Sequence, residues 1–108
     1  MTSHDSPAEA IRFEHDGIVM DRLRRKVTAG GQPLPLTTRE FALLELFLAR
    51  PGHVLTRDQI ASAVWETDEK FETNLIDVYV LRVRKKLAAA LPHGRGIRTI
   101  RGIGYALD

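Results

Sequence analysis

The hydrophobic period changes twice along this chain of 108 residues. Residues 11–36 hold short apolar runs broken by turn signals, residues 37–91 repeat at helical spacing, and residues 97–107 return to short runs. A strand turns alternate side chains to one face, whereas a helix turns every third or fourth. That order restricts the chain to an α+β domain, with a sheet before and a hairpin after a helical middle.

The first section predicts strands at Ile11-Arg12-Phe13, Ile18-Val19-Met20 and Leu23-Arg24-Arg25-Lys26-Val27, with a last edge strand in residues 32–36. Asp16-Gly17 and Gly30-Gly31 are hairpin signals, and the two prolines of residues 32–36 suit only an edge. Thr37-Thr38-Arg39-Glu40 has capping-box spacing and opens a helix with Phe41, Leu43, Leu44, Phe47 and Leu48 inward, stopped by Pro51-Gly52. Thr56-Arg57-Asp58-Gln59 repeats that spacing and opens a shorter helix with Ile60, Ala63 and Val64 inward. Residues 66–72 read as a charged loop. A third helix spans about 73–91, and strands Ile97 to Arg101 and Tyr105 to Leu107 close the chain around Gly102-Ile103-Gly104. Residues 1–10 read as a tail or linker remnant and 11–108 as one domain: a winged helix-turn-helix.

Projected at about 100° per residue, Ile76, Val80, Val83 and Leu87 form the core stripe of the third helix. The other side carries Asn74, Leu75, Val78, Leu81, Arg82, Lys85 and Lys86. A major groove has partners for all of them: Asn for adenine, Arg for guanine, Lys for phosphate, an aliphatic for a thymine methyl. A solvated basic face or a protein-docking face fits the helix equally well. In the hairpin, Arg101 precedes a glycine-bounded tip suited to a narrow minor groove, and Thr99 and Tyr105 offer hydroxyls to phosphates. A solvated arginine and a tyrosine that packs its ring are the plainer alternatives.

Net charge is 0 over residues 1–55, −3 over 56–72 and +5 over 73–108, so the cations concentrate in the last third. There is no Cys, hence no disulfide or thiolate chemistry. His4, His15, His53 and His93 are scattered, and Ser3, Ser6 and Ser62 lie in no nucleophile elbow. Gly94-x-Gly96 and Gly102-x-Gly104 open no helix, as a phosphate-binding turn would. An enzyme is not expected, nor a cofactor or a bound metal. No apolar run approaches the ~20 residues of a membrane span, and Met1 to Pro7 do not open like a signal peptide; a cytoplasmic protein is expected.

Leu36-Thr37-Thr38-Arg39-Glu40-Phe41-Ala42-Leu43-Leu44, Val64-Trp65, Ile76-Asp77-Val78-Tyr79-Val80, Arg82-Val83-Arg84-Lys85-Lys86-Leu87 and Thr99-Ile100-Arg101-Gly102-Ile103-Gly104-Tyr105, in this order and spacing, resemble the DNA-binding effector domain of OmpR/PhoB-type response regulators. The resemblance implies a winged helix with an N-terminal four-stranded antiparallel sheet. It implies sequence-specific binding of double-stranded promoter DNA, as a head-to-tail dimer on direct-repeat half-sites. It makes Asn74, Val78, Tyr79 and Arg82 candidates for base contact and sends Arg101 to the minor groove. Arg57, Trp65, Arg84, Thr99 and Tyr105 match backbone-contact positions, to which the cations Lys85 and Lys86 are added. The loop of residues 66–72, with Glu66, Asp68, Glu69 and Glu72, matches a segment that contacts RNA polymerase in some members. Leu81, Tyr79 and Leu75 depart from the family's usual residues, which bears on the bases read. The receiver domain of such regulators would need another domain's length upstream of the short tail, so either an excised effector domain or a chain lacking the receiver is expected.

Overall fold

The computed structural model describes residues 10–65 and 74–108. A four-stranded antiparallel sheet opens the fold: β1 (Arg12–His15), β2 (Ile18–Asp21), β3 (Lys26–Ala29) and β4 (Gln32–Pro33), paired in chain order. The β1–β2 turn has Asp16 at φ 51° and Gly17 at φ 86°, the two left-handed residues that make a turn match the strands' twist. Alternation buries Phe13, Ile18, Met20, Val27 and Ala29 on one face.

The third strand begins three residues later than the apolar pattern suggests. Asp21 Oδ1 accepts the Arg24 N–H at 3.0 Å, closing a side-chain turn. Arg25 then adopts φ 56°, which no strand accommodates. Leu23 is left 79% exposed on that turn. The edge strand is confined to Gln32–Pro33, after which Leu34 turns into the core.

Helix α1 (Thr38–Ala49) starts at the expected capping box, Thr37 and Glu40 satisfying each other's backbone N–H. Phe41, Leu43, Leu44, Phe47 and Leu48 are all buried. Helix α2 (Arg57–Ile60) has its own box from Thr56 and Gln59 and continues in wider π winding over Ala61–Trp65. The extra residue per turn rotates the later side chains about the axis. Ala63, expected inside, is exposed, while Ala61 and Val64 pack against the core. Helix α3 (Asn74–Ala90) buries Ile76, Val80, Val83 and Leu87, as its periodicity requires.

The C-terminal hairpin is one strand wider than expected. β5 (Leu55–Thr56) pairs with β7 (Gly104–Leu107), which pairs with β6 (Ile97–Ile100), so β7 is central. Two residues, the second of them the N-cap of α2, give no period to detect. Among the described residues, no helix is long and apolar enough to cross a membrane.

Candidate nucleic-acid interface

The face of α3 opposite its core stripe is presented to solvent. Asn74, Val78, Leu81, Arg82 and Lys85 are exposed and Leu75 is half-buried. Val78 at 39% and Leu81 at 46% are large aliphatics with no core role, the kind of apolar surface that marks an interface when cations surround it. Tyr79 lies at the margin of this face, half-buried. Trp65 meets it edge-on at 5.5 Å, and the Arg82 guanidinium lies 5.1 Å over its ring. Arg39 in turn lies 5.1 Å over Trp65. The Tyr79 ring thus gives the exposed Arg82 guanidinium a cation–π contact on this face.

The wing tip is a four-residue turn closed by the Ile103 N–H to Ile100 O at 2.9 Å. Gly102 takes φ 78°, the third-position requirement of a type II turn. That leaves Arg101 exposed at the second position, with no ion pair among the described residues.

The expected backbone contacts divide into two groups. Lys85 is exposed on the α3 face. Arg84 donates to Ile97 O at 3.0 Å and Thr99 Oγ1 at 2.8 Å, bracing the edge strand β6 against the helix. Arg57, the first residue of α2, pairs with Asp77 Oδ1 at 3.0 Å. The Asp77 hydrogen bond, then its charge, raises the Arg57 guanidinium above its ordinary value.

Two side chains are committed elsewhere. Lys86 Nζ reaches Glu40 Oε1 at 2.6 Å and Pro35 O at 2.9 Å, so it faces α1 rather than the exposed face. The Tyr105 ring is buried and its hydroxyl donates to Asp77. Burial, then that hydrogen bond, pushes the phenol up. Each already has partners within the fold. Spacing could not show this, because their partners lie 46 and 28 residues away. Residues 66–72, with Glu66, Asp68, Glu69 and Glu72, lie outside the described residues.

Sequence reasoning gave Asp77 no role, since an acid in a helix's first turn is unremarkable there. No group of three or more acidic or His side chains among the described residues could hold a metal.

Residues 31–107 match the family described as "Transcriptional regulatory protein, C terminal". The response regulator ArlR of Staphylococcus saprophyticus is 45% identical over 93 residues, 84% of this chain and 41% of its own. The transcriptional regulatory protein CusR of Escherichia coli is 42% identical over 97 residues, 90% of this chain and 42% of its own. The chain thus spans less than half the length of these curated relatives. Among solved structures, the DNA-binding domain of Bacillus subtilis CssR is 32% identical at a TM-score of 0.71, covering 84% of this chain and 99% of that one. That of Escherichia coli CpxR is 28% identical at 0.78, covering 91% and 96%. The Klebsiella pneumoniae RstA DNA-binding domain, solved in complex with RstA box, shares the fold at a TM-score of 0.78 with 24% identity, covering 91% and 97%.

Proposed function

The chain belongs to the OmpR/PhoB-type family of transcriptional regulatory protein C-terminal domains, the DNA-binding output domains of response regulators, and from that premise we propose how it reads DNA. Helix α3 lies in the major groove of a duplex, with Asn74, Val78, Tyr79 and Arg82 toward base edges. The β6–β7 wing places Arg101 in the neighbouring minor groove. Arg57, Trp65, Arg84, Lys85 and Thr99 contact the phosphate backbone. Two copies bind head to tail on direct-repeat half-sites in the cytoplasm, and the segment carrying Glu66, Asp68, Glu69 and Glu72 contacts RNA polymerase.

The observation that carries this is the exposed face of α3, where Val78 and Leu81 sit among Asn74, Arg82 and Lys85. A duplex is a partner that uses both kinds of group at once: methyls and base edges for the one, phosphates for the other. Selection of genomic fragments by the purified chain at two salt concentrations tests it. Recovery of paired direct repeats about one helical turn apart, weakened by salt, is expected. Salt-sensitive recovery without a motif would remove sequence-specific control. No recovery at low salt would make the α3 face a protein-docking surface.

A further inference from the structure

The first turn of α3 carries a carboxylate with partners on two other elements. Asp77 Oδ1 accepts from Arg57 Nε at 3.2 Å and from the Tyr105 hydroxyl. Arg57 opens α2 and Tyr105 lies in β7. The buried Tyr105 ring has the Arg57 and Arg84 guanidinium groups 5.7 Å and 5.9 Å from its centre. From α3, Arg84 goes on to Ile97 O and Thr99 Oγ1 of β6. One connected set of contacts thus runs from the helix to both strands of the wing. Among the described residues, strand pairing ties the wing to the preceding chain at Leu55 and Thr56, and the Gly52 N–H adds a bond to Leu107 O at 2.7 Å.

Tyr105 pairs with Thr99 in the wing, and Arg101 at the tip lies two residues beyond Thr99. At ~3.3 Å per residue that is a lever of about 7 Å, so a rotation of about 10° at Tyr105 moves the tip by ~1 Å. Hydrogen bonds fade over a few tenths of an ångström.

We propose that Asp77 is a positioning residue that sets the wing's angle to α3, so that Arg101 reaches the minor groove only while Asp77 holds Tyr105 and Arg57. This rests on the DNA reading of α3 and the wing, and it adds to that reading a residue which itself touches no base.

A double-mutant cycle between Asp77 and Arg101 tests it, read as Kd on the selected duplex with its A·T-rich flank. Arg101→Ala is expected to weaken the wild-type chain about tenfold. In the Asp77→Ala background its cost falls below about threefold. Tyr105→Phe, which keeps the ring and removes the hydroxyl, gives the same loss of coupling where Asp77→Ala melts too low to assay. Asp77→Asn, which retains an acceptor oxygen, restores part of the Arg101 effect. The cost of Arg82→Ala stays constant in every background, because α3 itself is not moved. A lower Tm with the full tenfold cost of Arg101→Ala in all backgrounds would reduce Asp77 to a structural staple and overturn the proposal. A wild-type chain that binds no duplex would remove the DNA reading, and this inference with it.

Discussion

A single missing methyl lets the wing close. Gly104 lies where β5 crosses β7, and a Cβ there would overlap the Leu55 carbonyl, with Leu55 C at 2.8 Å and Thr56 Cα at 2.9 Å. Backbone cannot swing aside as a side chain does. Gly104→Ala is therefore expected to cost roughly 3 kcal/mol or more in chemical denaturation. A cost below about 1 kcal/mol would mean that β5 gives way easily. Neighbouring residues on α3 separate stability from recognition in the same way. Val83 is fully buried and Arg82 is exposed. Val83→Ala should lose roughly 1–3 kcal/mol of stability while the folded fraction binds DNA unchanged. Arg82→Ala should melt normally, lose roughly 1–3 kcal/mol on the selected site, and relax specificity there.

Between elements, α1 and α3 are joined by packing and by an ion pair to a buried carboxylate. Glu40 is 2% exposed and is held by Lys86 and the Thr37 N–H. Burial alone would push its carboxyl up, but the Lys86 hydrogen bond and the Thr37 N–H outweigh that and hold it below its ordinary value of 4.5. A lowered folded value means the contribution is fully present above 4.5 and is lost as pH falls through the folded value. Lys86→Met leaves the carboxylate buried without its cation. Because the lysine is itself partly exposed, a loss of about 1–3 kcal/mol at neutral pH is expected rather than that of a fully enclosed pair. The gap between variant and wild type should narrow on acidification, as the buried carboxyl takes up a proton. Denaturation series at neutral pH and at about pH 3 check both statements, and a constant gap would show that Lys86 acts through its bond to Pro35 O rather than through the Glu40 charge.

Over the whole molecule, the charge that is 0 in the first half is +5 in residues 73–108. That segment supplies α3 and the wing, so the positive field and the candidate bases-and-phosphates surface coincide. Each phosphate neutralised should add about −0.9 to the slope of log affinity against log salt. Lys85→Ala is expected to make that slope shallower by about one unit and weaken all duplexes alike, without changing the recovered motif. An altered motif would move Lys85 from the backbone to a base.

The order of elements, both hairpin turns, both capping boxes and the buried stripe of α3 could be read from the chain because each depends on residues within one or two turns of one another. So could the exposed cations of α3 and the resemblance to the effector-domain family. Four features took shape only in the folded molecule. β5 is too short to carry a period, and π winding after Ile60 turns Ala63 outward. Lys86 is drawn away from the exposed cations of α3 to Glu40, and Asp77 gathers Arg57 and Tyr105. In each of the last two, the partners are separated by 20 to 46 residues. Local periodicity decides which side of an element is apolar; it cannot decide which polar group across the core will be near enough to satisfy another.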